Sequence, residues 1–185
     1  ELIKYLKSLE ATKSIFLVTN GQEPDMIQKL QDEDALPTQL YLSTNAADYE
    51  SFIKINKPKY DDSWERWNRT LDMLKNLDTR TVLRITLIRD YNDQKEMIPA
   101  FADMFRKASP HFIEIKSYMH IGRSTNRLEH ENMLEMHEVK KFSEGIAKQS
   151  KIFSVMDESL VSRISILQNN ERFIDRYIPT YANTN

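Results

Sequence analysis

The chain has no cysteine among its 185 residues. It therefore cannot form a disulfide, supply a thiolate to zinc or to an iron–sulfur cluster, or use a thiol as a nucleophile. It has only three glycines, and they lie far apart at Gly21, Gly122 and Gly145. Glycine-rich phosphate-binding loops need clustered glycines, so a P-loop and a dinucleotide-binding fingerprint are both excluded.

Long apolar runs and an excess of one charge are also missing. No stretch approaches the roughly 20 apolar residues that cross a bilayer, and no secretion signal is recognisable. Lysine and arginine total 26 against 28 aspartate and glutamate, so the formal net charge is -2. Any nucleic-acid partner must therefore be met by a local basic patch. We expect one cytoplasmic domain, with at most a small appendage and no membrane partner.

Apolar runs of strand type alternate with helical stripes along the first two thirds of the chain. The predicted strands lie at residues 14–19, 39–44, 81–88 and 111–119. The predicted helices between and before them lie at 2–9, 23–31, 46–55, 64–77 and 97–105. This alternation predicts an α/β fold with parallel strands, in an open sheet or a barrel. A helix at 134–148 and strands at 151–156 and 161–167 are interpreted as an element appended to the sheet edge.

Charged side chains occupy alternate positions of two predicted strands. The period of two places Arg84 and Thr86 on one face of the third strand, and Glu114 and Lys116 on one face of the fourth. Burying these charges is costly unless they pair or bind a ligand, so this face is a candidate site. The alternative is a Glu114–Lys116 ion pair without chemistry. Ligands of parallel sheets bind at the C-terminal strand ends, which here carry Asn20, Thr44, Asn45, Arg89 and Lys116.

A basic and aromatic segment follows the fourth predicted strand. Residues 115–128 contain no acid, although acids number 28 in the whole chain. Cations that bind phosphate and rings that stack on bases suit RNA, and a solvated loop is the alternative. The side chains in question are Lys116, Tyr118, His120, Arg123 and Arg127. The four histidines of the chain have no spacing typical of a metal site or a catalytic triad, and we expect no metal ligand among them.

Several segments, taken together, resemble one enzyme family. They are FLVTNG at 16–21, TQLYLS at 38–43, KP at 57–58, DSWER at 62–66, RTVLRITL at 80–87 and FIEIKSYM at 112–119. Their order and spacing, with NRL at 126–128, NM at 132–133 and EV at 138–139, resemble the tRNA 4-demethylwyosine synthases. These are radical S-adenosylmethionine enzymes of wybutosine biosynthesis. The resemblance covers nearly the whole chain, and residues 157–163 look more like the archaeal branch than the eukaryotic one.

The resemblance implies a fold and an activity. Residues 1–121 would form the second half of a partial (β/α) barrel, and residues 122–185 a wyosine-forming C-terminal extension. The complete enzyme would be a lyase-type synthase that condenses pyruvate with N1-methylguanosine next to the anticodon of phenylalanine tRNA. S-adenosylmethionine would bind across the strand ends, and a CxxxCxxC loop, absent here, would hold a four-iron four-sulfur cluster. We therefore expect a C-terminal portion that lacks a cluster-bearing N-terminal half and is inactive alone.

The resemblance also assigns roles to side chains. Lys116 is the expected catalytic residue, which forms an imine with pyruvate. The expected S-adenosylmethionine wall consists of Thr19, Asn20, Ser43, Asn45 and Arg84, with Arg84 on the methionyl carboxylate. The residues expected to face the anticodon stem of the tRNA are Tyr118, His120, Arg123, Asn126 and Arg127.

Four positions depart from the family pattern. Asn45 stands where an aspartate is usual, Arg89 where a lysine often follows the third strand, and Leu134 and Met136 where the family has Pro and His. A guanidinium cannot form an imine, whereas Lys116 keeps its match. The second hypothesis is therefore a cluster-free paralogue that binds tRNA or S-adenosylmethionine without catalysis. A third is a Schiff-base lyase that uses Lys116 on a parallel barrel.

Overall fold

The computed structural model describes residues 1–178, whose centre is a six-stranded sheet in the order β1-β2-β3-β4-β6-β5. The strands are β1 (Phe16–Thr19), β2 (Gln39–Ser43), β3 (Arg80–Leu87), β4 (Phe112–Ser117), β5 (Phe153–Ser159) and β6 (Ile164–Asn169). Neighbours from β1 to β4 are parallel, whereas β6 is antiparallel to both β4 and β5. The predicted α/β class is confirmed.

One face of the sheet is covered by helices. The first helix, α1 (Leu2–Ser8), buries no residue, and the covering helices are α2 (Pro24–Asp32), α3 (Tyr49–Asn56), α4 (Ser63–Met73), α5 (Ile98–Ala108) and α6 (Met136–Ser150). Alternate strand residues such as Leu40, Leu83 and Ile113 are fully buried there. They form one core with Trp67 of α4 and Phe105 of α5. None of the helices within residues 1–178 has the length and apolar character needed to span a membrane.

The opposite face of the sheet carries the polar strand residues. At the β1 edge it is open, since Phe16 and Val18 are each 52% exposed. At the N-terminal strand ends the segment 174–176 crosses it. The guanidinium of Arg80 donates to the carbonyl oxygens of Asp175 at 2.7 Å and Arg176 at 3.2 Å. Arg84, Glu114 and Lys116 lie at the centre of this face, towards the C-terminal strand ends.

Two helices begin later than the sequence predicts, because capping residues fix where each helix starts. The helix predicted from residue 46 begins at Tyr49, because the carboxylate of Asp48 accepts a hydrogen bond from the Ser51 N–H at 2.8 Å. The helix predicted from residue 134 begins at Met136, after a capping box formed by Glu135 and Glu138. The predicted boundary at residue 121 stays a prediction, and residues from both sides of it share the main core.

Candidate active site

A cleft of about 580 Å³ opens at the C-terminal ends of β1 and β2. Asn20, Ser43 and Asn45 line it, so these three expected cofactor-binding residues lie together. The facing wall comes from the end of α3 and the loop before α4. It consists of Phe52, Asn56, Lys57, Pro58, Lys59 and Tyr60. The volume lies within the range of about 300–1,000 Å³ that is common for small-molecule sites.

The floor of the cleft is fixed by close packing of α4 on the strand ends. Gly21 has a φ of +75°, and a Cβ there would lie 2.7 Å from Leu42 Cδ1. Only glycine meets both conditions without strain. The indole N–H of Trp67 donates to the Ser43 carbonyl oxygen at 3.1 Å, and the Thr70 hydroxyl donates to the Gly21 carbonyl oxygen at 2.8 Å. α4 therefore holds the ends of β1 and β2 at a fixed separation.

Gln22 is a cleft residue that the sequence analysis missed. It is 9% exposed, and its amide nitrogen donates to the Ser63 carbonyl oxygen at 3.0 Å. Its buried Oε1 accepts no hydrogen bond from the described part of the chain. A buried polar atom without a partner costs about 1–3 kcal/mol. A ligand that donates a hydrogen bond here would remove that cost. No sequence signal singled out this glutamine beyond its place after Asn20 and Gly21.

Thr19 and Asn20 stabilise the turn that follows β1. The Thr19 hydroxyl oxygen accepts from the Gly21 N–H at 3.1 Å, and Asn20 Oδ1 accepts from the Gln22 N–H at 3.2 Å. The alternation of β1 places Thr19 on the helix-covered face with Leu17, whereas Asn20 lines the cleft. Thr19 is thus separated from the cleft-lining side chains.

Asn45 joins the ends of β2 and β3. Its Oδ1 accepts from the Thr86 N–H at 3.0 Å, and its carbonyl oxygen accepts from the fully buried Asn92 side chain at 2.9 Å. Asn92 also donates to the Thr86 carbonyl oxygen and accepts from the Ile88 N–H. An aspartate at position 45 could accept the same Thr86 hydrogen bond. It could not donate to Asn56 Oδ1, as the side-chain nitrogen of Asn45 does at 3.4 Å.

Glu114 pairs with Arg84 on the neighbouring strand rather than with Lys116. The two residues are opposite each other in the β3–β4 register, and Arg84 is also opposite Ser43 of β2. Arg84 Nε lies 2.9 Å from Glu114 Oε1 but does not direct its hydrogen at it. Cross-strand neighbours are closer than residues two apart on one strand, which explains the choice. The Glu114–Lys116 pair considered from the sequence is wrong.

Lys116 lies half-buried near the end of β4, opposite Thr86 and Ile164. Its ammonium makes no ion pair or hydrogen bond with any residue of the described chain. Burial lowers the pKa of Lys116, the positive charge of Arg84 lowers it further, and Glu114 opposes the shift. A lower pKa increases the fraction of neutral amine, which is the form that attacks a carbonyl.

Arg89 is turned away from the cleft. Its Nη1 and Nη2 lie 2.6 and 2.7 Å from the two carboxylate oxygens of Glu138 in α6. The same guanidinium donates to the carbonyl oxygens of Glu131 and Met133, each at 2.9 Å. Arg89 does lie just beyond the C-terminal end of β3, as expected, but these contacts occupy its guanidinium. Arg89 fastens the end of β3 to the loop and helix that follow β4.

The basic segment after β4 borders the same end of the sheet. Arg123, Asn126 and Arg127 are exposed, in and just after a 3-10 turn at Gly122–Asn126. Tyr118 differs from expectation because its ring is only 5% exposed. The ring packs with Ile55, Ile88 and Leu128, which we call the rim cluster.

The hydroxyl of Tyr118 lies 3.1 Å from His120 Nδ1. Tyr118 therefore anchors the loop instead of presenting a free stacking surface. This burial corrects the expected RNA-facing position of its ring.

The described residues offer no ligands for a metal centre. Within residues 1–178 no three His, Asp or Glu side chains come close enough to hold a metal ion. With no cysteine in the sequence, the residues present do not fit an iron–sulfur cluster.

Comparison with known sequences identifies the family. Residues 107–169 match the family model for wyosine base formation. The S-adenosyl-L-methionine-dependent tRNA 4-demethylwyosine synthase of Methanocaldococcus jannaschii is 41% identical over 162 residues, which cover 86% of this chain and 48% of that protein. The protein of the same name from Pyrococcus abyssi is 37% identical over 156 residues, with 84% and 45% covered.

Solved structures agree with these sequence matches. A structure of TYW1 with a lysine–pyruvate adduct bound has a TM-score of 0.75 and 40% identity, and covers 86% of this chain and 48% of that one. A crystal structure of archaeal TYW1 has a TM-score of 0.68 and 36% identity, with 86% and 47% covered. The chain spans about half the length of these relatives. The resemblance seen in the sequence is confirmed, and the chain belongs to the tRNA 4-demethylwyosine synthase family.

Proposed function

We propose that the chain forms part of a radical enzyme that condenses pyruvate with N1-methylguanosine in phenylalanine tRNA. One observation carries this proposal: a single end of the parallel sheet holds both a polar cleft and an unpaired lysine. Relatives named as S-adenosyl-L-methionine-dependent synthases acting on tRNA support it. The chain would need a cluster-bearing partner half, because it has no cysteine of its own.

The parallel strands β1 to β4 would form part of a (β/α) barrel. The one-sided helix cover supports this, since Arg84, Glu114 and Lys116 would then face a barrel interior. Polar strand faces are stable in such an interior when they bind substrates or pair with one another.

We assign the cleft to S-adenosylmethionine. The orphaned Gln22 Oε1 suits the amino group of an adenine, and Asn20, Ser43 and Asn45 supply further polar atoms. Arg84 would attract the methionyl carboxylate with the guanidinium nitrogens that Glu114 leaves free. Bound S-adenosylmethionine would supply the radical chemistry of the family.

Calorimetric titration of S-adenosylmethionine tests the cleft assignment. Gln22→Met keeps the length of the side chain and removes the acceptor, so we expect about tenfold weaker binding. Gln28→Met, on the exposed face of α2, is the matched control and should bind as the wild type does. Equal affinity of the two variants would exclude Gln22 from the site. Absence of any binding by the wild type would remove the cleft assignment.

We further propose that Lys116 forms an imine with pyruvate. The neutral Nζ adds to the keto carbon, the keto oxygen leaves as water, and a C=N bond replaces C=O. Arg84 helps keep the amine neutral, because its charge lowers the pKa of Lys116. Glu114 stabilises the position of Arg84 through their ion pair.

Borohydride trapping tests this step directly. The chain is incubated with pyruvate, reduced, digested and mapped by mass spectrometry. The adduct is expected on Lys116, lost in Lys116→Arg, and retained in Lys141→Arg on the exposed side of α6. An adduct on another lysine, or no adduct, would disprove the assignment.

The exposed loop after β4 would face the anticodon stem, with His120, Arg123, Asn126 and Arg127 as contacts and Tyr118 as their anchor. Arg123→Glu combined with Arg127→Glu should weaken tRNA binding at moderate salt. Unchanged affinity would make the segment an ordinary solvated loop.

A non-catalytic binding paralogue is the second candidate. The observation that favours it is the engagement of Arg89 with α6, which leaves no free amine or cation at that family lysine position. Binding of S-adenosylmethionine and tRNA without any trapped pyruvate would select this alternative.

A further inference from the structure

A second, smaller cavity lies beside the cleft, between α3 and the loop after β4. It has a volume of about 60 Å³. Lys54, Lys57 and Arg127 line it together with apolar residues and Tyr91, and we call it the notch. Lys57 also lines the large cleft, so the two cavities are adjacent.

The floor of the notch is rigid and apolar. Ile55, Ile88 and Leu128 belong to the rim cluster and are each no more than 8% exposed. Tyr91 packs against this cluster, and Lys54 Nζ lies 4.9 Å from the centre of the Tyr91 ring. Leu128 thereby holds the adjacent Arg127 close to α3. Lys54 and Lys57 come from the end of α3 and Arg127 from the loop after β4, but all three lie beside the same rim cluster.

The cations of the notch have no acidic partners. Lys54, Lys57 and Arg127 form no ion pair with any described residue. Cations elsewhere in the chain do pair, as with Lys107 and Asp72 at 2.7 Å or Lys140 and Glu158 at 2.8 Å. Like charges held near one another repel, and an anion between them would remove that repulsion.

The backbone supports the position of Lys57. This residue ends α3 in the left-handed region, with a φ of +45°. A non-glycine residue pays roughly 1–2 kcal/mol for this conformation. The turn places Lys57 where the notch meets the cleft.

We propose that the notch binds a phosphodiester of the tRNA backbone. The inference rests on the proposed function, and it assigns a new role to Lys54 and Lys57. The volume holds only a few water molecules, which is enough for phosphate oxygens and too small for a nucleobase. An arginine and two lysines supply the positive charge and the N–H donors that bind a phosphate. The contact would fix the backbone beside the cleft without reading sequence.

The test uses fluorescence anisotropy with labelled phenylalanine tRNA over a series of salt concentrations. Lys54→Gln removes a notch cation that lies outside the loop. We expect weaker tRNA binding and a salt slope reduced by about one, with a larger loss on adding Arg127→Gln. Lys141→Gln with Lys148→Gln removes two exposed cations of α6 and serves as the charge-matched control. Circular dichroism checks that each variant is folded.

The outcomes separate the notch from the proposed function. Normal wild-type tRNA binding, with Lys54→Gln indistinguishable from the α6 control, overturns the notch and leaves the function standing. Failure of the wild type to bind tRNA contradicts the function itself. Inorganic phosphate is tested as a competitor. Phosphate binding that is lost in Lys54→Gln while tRNA affinity is unchanged identifies a free-anion site and overturns the RNA assignment.

Discussion

His111 is expected to make the fold sensitive to acid. It lies directly before β4, and its Nδ1 accepts a hydrogen bond from the Thr81 N–H at 3.1 Å. Only an unprotonated ring nitrogen can accept, so the fold requires neutral imidazole. Burial lowers the pKa of His111 from 6.5 to about 4, and the charges of Arg172 and Arg80 contribute.

The sign and size of the effect follow from proton linkage. Between pH 6.5 and about 4 the unfolded chain binds the proton and the folded chain does not, so acid favours unfolding. At about 1.4 kcal/mol per pH unit, the full shift corresponds to at most about 3.5 kcal/mol. The ring is only half-buried, and solvent screening reduces this value. We expect the free energy of unfolding to fall by about 1–2 kcal/mol between pH 7 and pH 4.5 because of His111 alone.

Urea unfolding followed by circular dichroism at both pH values measures this loss. His111→Asn is the informative variant, because its side-chain oxygen can accept from Thr81 N–H but does not titrate. Its acid-induced loss should be smaller than that of the wild type by about 1–2 kcal/mol. His137→Asn, at an exposed position of α6, is the control and should lose as much free energy of unfolding between the two pH values as the wild type. Equal losses in wild type and His111→Asn would refute the reasoning.

Four further substitutions, of which Gly122→Ala is a control, test the packing around the cleft, and each is measured by urea unfolding. Gly21→Ala should cost about 2–4 kcal/mol, since its Cβ would clash with Leu42 at positive φ. Gly122→Ala, with φ +62° and no neighbour within 4 Å, should cost only about 1 kcal/mol, and equal costs would contradict the clash. Arg89→Lys should cost about 1–2 kcal/mol, because an ammonium cannot replace the bidentate contact with Glu138; an unchanged midpoint would dismiss this contact. Asn92→Ala should cost about 2–3 kcal/mol by leaving buried backbone groups unpaired, and a smaller loss would show that water replaces the amide.

The order of strands and helices was predictable because it depends on local periodicity. The same holds for Asn20, Ser43 and Asn45, since residues at parallel strand ends meet at one edge. The pairing of Arg84 with Glu114 was not predictable in this way. It depends on the register between β3 and β4, which no single segment encodes.

Tyr118 and Gln22 show a second limit of sequence reasoning. The sequence around an aromatic residue in a basic segment looks the same whether its ring stacks on a base or packs into the protein core. For Tyr118 the choice is made by Ile55, which is distant in sequence. The side-chain nitrogen of Gln22 likewise donates to Ser63, which is distant in sequence, and this contact fixes where the unpaired Oε1 lies.

The polar face of the sheet constrains any surface that closes over it. The side chains of Glu114 and Arg84 are 13% and 32% exposed, so their ion pair keeps part of its hydration. A closing surface would strip that water, and desolvating an ion pair costs several kcal/mol unless polar groups replace it. Without a ligand over this ion pair, the open state of the face is therefore favoured. A carboxylate or carbonyl lying over Arg84 and Lys116 would favour closure, so that enclosure of the site and occupancy of the site are thermodynamically coupled.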